Sequence, residues 1–131
     1  SSLQKAEEAI DHFKKVNDTY GHQVGDAVLI RLVILMRDQL RASDTVSRYG
    51  GEEFVLVYNK TIKTELLKSL ENLRKKIASL PFKFKQDSVS ITLSIGATHV
   101  QTTDNIHLAF ERADKSLYQA KASGKNKVIY L

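Results

Sequence analysis

Residues 11–26 gather many hydrogen-bonding and charged side chains in a short stretch of chain. The amide of Asn17 and the carboxylate of Asp26 could together bind the edge of a purine, because a carboxylate accepts hydrogen bonds from N–H donors. The ammonium groups of Lys14 and Lys15 could contact phosphate. The alternative is a solvated turn in which Asp26 only lies near a helix N-terminus, where a carboxylate is favoured. These residue types by themselves leave both interpretations open.

A second group of chemically capable residues follows the glycine pair Gly50 and Gly51. Glu52 and Glu53 place two adjacent carboxylates there, where a backbone without side chains lets a ligand approach closely. Hard cations such as Mg²⁺ bind carboxylate oxygens and usually share nucleotide phosphates. The alternative is a turn of the type I′ kind with two exposed glutamates.

Strand patterns flank this glycine pair and recur later in the chain. Residues 45–49 and 54–58 are short β-favouring runs, so we predict a β-hairpin whose glycines supply the positive φ of a tight turn. Residues 89–97 alternate apolar and polar side chains, which predicts a strand with one buried face. Residues 128–131 would form a closing strand.

Three segments carry helical periodicity. Residues 24–40 would carry apolar side chains on nearly every face of a helix, which predicts a helix buried on most sides. Residues 62–80 repeat leucine and isoleucine at helical spacing until Pro81 stops the helix. Residues 105–122 form a third helix that ends before Gly124. Helices interleaved with strands predict an α/β or α+β fold, with a sheet covered by helices.

Composition limits the class of protein. The length of 131 residues is that of a single domain. The composition of 42% hydrophobic and 27% charged residues, with a net charge of +5, is typical of a globular protein. The absence of Cys excludes disulfides and thiolate chemistry. The longest apolar run, residues 32–36, is far shorter than the roughly 20 residues of a membrane span, and the acidic residues Glu7 and Glu8 are unlike a signal peptide. Lysines between residues 60 and 85 are interpreted as the solvated face of a helix, so no nucleic-acid partner is expected.

Three blocks of sequence together resemble one family. Residues 48–54 (Arg-Tyr-Gly-Gly-Glu-Glu-Phe) resemble the signature of the GGDEF family, the diguanylate cyclases, in its GGEEF form. Residues 10–26 resemble the upstream block of that family. Residues 113–126 resemble its final helix and the loop that follows. The resemblance covers residues 10–131, nearly the whole chain.

The resemblance implies a fold, a reaction and partners. The fold would be a central, mainly antiparallel sheet wrapped by helices, similar to nucleotidyl cyclase and polymerase palm domains, over a single domain of residues 1–131. The reaction would condense two GTP into cyclic di-GMP and two pyrophosphates, with Mg²⁺ or Mn²⁺ as cofactor. Each domain would hold one GTP, which implies a homodimer. Such a domain would be the C-terminal output domain of a longer signalling protein in the cytoplasm, with tethering to a membrane sensor as an open possibility.

The resemblance also assigns roles to individual residues. Glu52 and Glu53 would be catalytic and would bind metal, together with the backbone of Ile10. Asn17 and Asp26 would bind guanine. The remaining substrate contacts would come from Lys14, His12, Phe13, Gly50, Gly51, Lys121 and Lys125. Lys125 stands where the family usually has arginine, so we expect a weaker phosphate contact there.

A regulatory site is implied by the spacing of Arg41 and Asp44. The two residues have the RxxD form, five residues before the glycine pair, where the family binds its inhibitory product. An arginine can bind a phosphate through two hydrogen bonds, and an aspartate can accept hydrogen bonds from the N–H groups of guanine. Arg74 on the following helix is a candidate partner. The alternative is a helix-terminal arginine beside a turn aspartate.

The start of the chain departs from the family pattern. Ala9 stands where the family has an aspartate that binds both metal ions. Residues 3–8 contain good helix formers where the family has an apolar strand. We therefore expect the first strand to be missing from the chain, because residues were omitted or because the domain is degenerate. A degenerate domain would be a catalytically inactive module that binds cyclic di-GMP or GTP.

Overall fold

The computed structural model describes residues 3–101 and 105–131. The elements of these ranges are, in chain order, β1 (Gln4–Ile10), α1 (Phe13–Tyr20), α2 (His22–Gln39), β2 (Thr45–Arg48), β3 (Glu53–Tyr58), α3 (Lys63–Ser79), β4 (Phe82–Phe84), β5 (Asp87–Val89), β6 (Leu93–His99), α4 (Ile106–Ala122) and β7 (Lys127–Tyr130). No helix in these ranges is long and apolar enough to cross a membrane.

The main sheet has the strand order β2-β3-β1-β6-β7. Its neighbours are antiparallel except for the parallel pair β6–β7. Strands β4 and β5 form a separate antiparallel hairpin. The predicted α/β class with a mainly antiparallel central sheet is confirmed, as is the hairpin that joins β2 to β3.

The expectation of a missing first strand is wrong. Residues 4–10 form the central strand β1, which pairs with β3 on one side and β6 on the other. Both neighbours have backbone N–H and C=O groups that need partners, and this requirement outweighs the helix propensity of Gln, Lys, Ala and Glu. The consequence is that Glu7 and Glu8 are buried in the middle of a sheet.

The hydrophobic core lies between the sheet and helices α2 and α3. It contains Leu32, Leu70, Phe54 and Ile95 among its buried members. Helix α2 was expected to be buried on most sides, and this is wrong: Ile30 and Ile34 are 63% and 54% exposed. The helix packs against α1, the sheet and α3 by the face that carries Val28, Leu32 and Met36, and the face with Ile30 and Ile34 stays exposed.

Helix α4 packs against the sheet where Gly96 lies on β6. A Cβ at position 96 would lie 2.1 Å from the backbone nitrogen of Leu117, so only glycine permits this close approach. The side of α4 that carries Ala113, Leu117 and Ala120 is buried. This contact fixes the C-terminal end of α4, and the loop after it, beside the end of β1.

Candidate functional site

A cavity of about 390 Å³ lies between α1, α2 and the tip of the β2–β3 hairpin. Its lining residues are Phe13, Lys14, Asn17, Asp18, His22, Asp26, Leu29, Arg48, Gly51 and Glu52. The cavity therefore brings together six of the residues to which the sequence assigned substrate or metal contacts. Five others, namely Ile10, Gly50, Glu53, Lys121 and Lys125, are not among its lining residues, and His12 lines a different cavity on the other side of α1.

The side of the cavity with Asn17 and Asp26 depends on how closely α1 and α2 approach. Gly21, with φ of 93°, separates the two helices and its N–H donates to the Asn17 carbonyl oxygen at 2.8 Å. A Cβ at Gly25 would lie 1.8 Å from Oδ1 of Asn17. Glycine at this position lets the amide of Asn17 lie against α2, one residue from Asp26.

The opposite side of the cavity is the hairpin tip. Neither Gly50 nor Gly51 has a positive φ, so the expected turn conformation is wrong. Apart from the adjoining residues of the chain, no atom of the described residues lies within 4 Å of the place where a Cβ would stand at either glycine, so the tip leaves open space for a ligand. The guanidinium of Arg48 holds the tip by donating to the carbonyl oxygens of Gly50 and Gly51 at 2.7–3.3 Å.

Arg48 was not singled out by sequence reasoning. Its place at the start of the signature is visible in the sequence, but its hydrogen bonds to the tip are visible only in the tertiary structure.

The two glutamates of the tip have different surroundings. The Glu52 carbonyl oxygen accepts from Ile10 N–H at 3.2 Å, which ties the end of β1 to the tip. The Glu53 carboxylate lies 3.2 Å from Nζ of Lys121 on α4. Both side chains of this ion pair are about one-third exposed, so the pair adds little stability. Lys121, a predicted phosphate ligand, is thus beside the predicted catalytic carboxylate.

The metal-binding capacity of this region is limited. Ala9 is directly opposite Glu53 in the β1–β3 register and is 1% exposed. Within residues 3–101 and 105–131, no three His, Cys, Asp or Glu side chains are grouped so that they could hold a metal ion. Glu52, Glu53 and the Ile10 backbone remain as oxygen donors, which does not fit a site for two divalent ions.

A buried carboxylate lies on β1 close to this region. Burial, and next the nearby Asp114 carboxylate, raise the pKa of Glu7 to about 7, and Glu53 acts in the same direction. Lys5 opposes the shift. The carboxylates of Glu7 and Glu53 therefore repel each other when both are ionised. Lys121 contacts the Glu53 carboxylate directly and offsets part of this repulsion.

Arg41 and Asp44 lie outside this cavity and bind each other. Nε of Arg41 lies 3.2 Å from Oδ2 of Asp44, and the Arg41 guanidinium also donates to the Asn59 carbonyl oxygen and to Oγ1 of Thr61. The Asp44 side chain is only 2% exposed, whereas that of Arg41 is 53% exposed. Burial acts to raise the pKa of Asp44, but hydrogen bonds from Asn59 and Arg41 hold it below its usual value.

Arg74 has other partners. It donates to Glu71 one turn earlier on α3, and Nη1 donates to Oδ1 of Asn126 at 2.8 Å. Its described contacts therefore join α3 to the loop after α4, and none of them is with Arg41 or Asp44.

Comparison with known proteins shows which family has this arrangement. The family model for "Diguanylate cyclase, GGDEF domain" matches residues 9–127. Diguanylate cyclase DgcP of Pseudomonas aeruginosa is 43% identical over 119 residues, which are 91% of this chain and 18% of that protein.

Solved structures match over the same extent. The coiled coil and GGDEF domain of DgcB from Caulobacter crescentus, in complex with c-di-GMP, has a TM-score of 0.94 at 30% identity, covering 98% of this chain and 69% of that chain. The active GGEEF domain of a diguanylate cyclase from Vibrio cholerae has a TM-score of 0.90 at 33% identity, covering 98% and 81%.

The family match extends over more than nine-tenths of the chain, and the solved GGDEF and GGEEF domains share its fold at TM-scores of 0.94 and 0.90. The chain spans less than a third of the length of the first curated relatives that it matches. The chain belongs to the GGDEF family, the family of diguanylate cyclase domains.

Proposed function

We propose that the domain binds GTP in the cavity between α1, α2 and the hairpin tip. The observation that carries this proposal is the convergence of Asn17, Asp26 and Lys14 on one side of a single cavity. The amide and carboxylate offer the acceptors and donor that a guanine edge needs, and the ammonium group offers a phosphate contact. The volume of about 390 Å³ lies in the range of small-molecule sites.

The reaction class that we propose is that of the named relatives. A 3′-hydroxyl of one GTP attacks the α-phosphate of a second GTP and pyrophosphate leaves; the reverse pairing then closes cyclic di-GMP and releases a second pyrophosphate. Since the proposed site holds one GTP, the reaction needs two domains facing each other. Turnover by this chain should be slow, because Ala9 leaves the site one carboxylate short.

The second candidate function is a binding module that holds GTP or cyclic di-GMP without turnover. The specific observation that favours it is Ala9, which is buried opposite Glu53 and has no oxygen in its side chain. Restoring a carboxylate at this position separates the two candidates, as described in the Discussion.

GTP binding is tested by calorimetric titration of the purified domain. Replacing Asp26 with Ala should weaken GTP binding more than about tenfold, because a hydrogen bond to a charged group contributes roughly 1.5–3 kcal/mol. Asp38→Ala is the matched control, since Asp38 is an exposed aspartate near the other end of α2. Equal weakening in both variants, or no binding by the parent domain, would contradict the proposed site.

Product binding at Arg41 and Asp44 is a further part of the proposal. The Asp44 side chain is only 2% exposed and that of Arg41 is 53% exposed, so Arg41 is the member of the pair that a phosphate or a guanine could reach. Arg41→Ala should therefore weaken cyclic di-GMP binding about tenfold, within the range of one charge-assisted contact. Titration calorimetry measures this, with Arg37→Ala one turn earlier on α2 as the control. Unchanged affinity in Arg41→Ala would show that the site lies elsewhere.

A further inference from the structure

A second cavity, of about 360 Å³, lies on the other side of α1 from the cavity proposed for GTP. Its walls are α1, the end of α3 at Ala78, and residues 89–92, which lead into β6. The volume lies in the range of small-molecule sites. The proposed function gives this cavity no role.

The two cavities use opposite faces of α1. Lys15, Val16 and Thr19 line the second cavity, whereas Lys14 and Asn17 line the cavity proposed for GTP. Residues three or four positions apart share one face of a helix, so these two sets point away from each other. The cavities have no lining residue in common. A ligand in the second cavity would therefore not occupy the first.

The floor of the second cavity is apolar. Val16, Val89 and Ile91 line it and are 7%, 1% and 4% exposed. They belong to the core cluster, so the floor is held by packing from behind. An apolar ring or a branched chain placed on this floor would lose its contact with water, which favours binding.

The charged groups of the cavity favour an anion. Lys15 is exposed, and no carboxylate within residues 3–101 and 105–131 forms an ion pair with it. The Asp11 carboxylate also lines the cavity, but its oxygens already accept hydrogen bonds from the chain. The hydroxyls of Thr92 and Ser94 donate to it at 2.6 Å each, and the Asn126 N–H donates at 3.0 Å. The ammonium group of Lys15 is therefore the charge that a ligand could pair with.

We propose that this cavity is a second binding site, which takes a small amphipathic anion: an aromatic or branched aliphatic body that carries one carboxylate. The body packs on Val16, Val89 and Ile91, and the carboxylate pairs with Lys15. Exposed hydroxyls of Thr19 and Ser90 line the same cavity and can donate to the carboxylate. This inference goes beyond the proposed function and does not depend on GTP binding.

Three probes with the same ring system and different charge test the proposal. They are 2-naphthoate, 2-naphthalenemethanol and 2-naphthylmethylammonium, titrated into the parent domain and followed by NMR of the backbone amides. The anion should bind more tightly than the alcohol, and the alcohol more tightly than the cation. The amides of Val16, Val89 and Ile91 should shift, whereas those of Asn17 and Asp26 should not.

Lys15→Gln tests the charged contact. The affinity for 2-naphthoate should fall about fivefold, the upper end for an ion pair with an exposed partner, and the affinity for the alcohol should change less than twofold. Lys115→Gln is the matched control, since Lys115 is an exposed lysine on α4, and it should leave both affinities unchanged.

Two further variants test the cavity itself. Ser90→Phe and Thr19→Phe each add a ring from a different wall, at a position that is exposed in the parent. Each should abolish binding of all three probes. Because the two positions lie on different elements, a folding defect in one variant leaves the other as the test, and thermal unfolding identifies such a defect.

The outcomes decide the proposal. No binding of 2-naphthoate by the parent, tighter binding of the cation than of the anion, or shifts at Asn17 and Asp26 in place of Val89 and Ile91 would overturn it. So would an unchanged 2-naphthoate affinity in Lys15→Gln or in a folded phenylalanine variant. A parent that binds 2-naphthoate in this way but does not bind GTP would overturn the proposed function and leave this inference standing.

Discussion

Ala9→Asp should raise the formation of cyclic di-GMP from GTP and Mg²⁺ by about a hundredfold, which corresponds to roughly 2.7 kcal/mol of barrier. Position 9 lies directly opposite Glu53, so an aspartate there adds a carboxylate to the two at the hairpin tip. Hard divalent cations need several oxygen ligands, and the parent side chain offers none. The measurement is chromatography of the products after incubation with GTP and Mg²⁺.

Two further measurements make this prediction specific. The double variant Ala9→Asp with Glu53→Gln should lose the gain, because one carboxylate of the pair is removed. Without Mg²⁺, Ala9→Asp should unfold at a lower temperature than the parent, since like charges would lie opposite each other beside the buried Glu7; Mg²⁺ should reverse the loss. A folded, GTP-binding Ala9→Asp protein with no gain in product would favour the binding-module function. Brisk turnover by the parent would contradict our account of the metal site.

Glu8→Leu should increase the free energy of unfolding at pH 7 by about 3 kcal/mol. The Glu8 side chain is fully buried in the central strand, and neither carboxylate oxygen has a hydrogen-bond partner among residues 3–101 and 105–131. Burial raises the pKa of Glu8 to about 8, far above the value of an unfolded chain. At pH 7 the unfolded chain releases this proton and the native chain does not, so ionisation favours unfolding. Urea denaturation of parent and variant measures the difference.

The same argument gives the sign of the pH dependence. The raised pKa of Glu8 has no effect on stability below about pH 4.5, which is the pKa of this carboxyl in the unfolded chain. As the pH rises from there to about 8, the free energy of unfolding falls progressively. The parent should therefore lose stability over this range, and Glu7 adds to the loss up to about pH 7.

Two variants serve as controls for Glu8. Glu8→Gln should remove the pH dependence due to this residue but recover less stability than Leu, because its amide stays unpartnered in the core. Glu111→Leu, at an exposed position on α4, should change stability by less than about 0.5 kcal/mol. A Glu8→Leu protein no more stable than the parent would show that the buried carboxyl finds a partner.

The sequence by itself determined the family, three of the four described helices and six of the residues that line the cavity. Residues 48–54 keep the signature, and residues 10–26 carry Asn17 and Asp26; only the structure shows that these two residues lie on two adjacent helices, α1 and α2. Such motifs are local, and periodic apolar residues with Pro81 and Gly124 as stops specify α3 and α4 without reference to the rest of the chain. The β2–β3 hairpin follows from two β-favouring runs around paired glycines.

The tertiary structure decided what local patterns could not. Residues 4–8 favour a helix, yet they form the central strand because β3 and β6 both need backbone partners there. Ile30 and Ile34 look like core residues, and only the packing of α2 on one side of the domain leaves them exposed. Asp11 is an ordinary member of a polar block in the sequence. Its bonds to Thr92, Ser94 and Asn126 join residues that are more than 80 positions apart, so they become visible only when the chain folds.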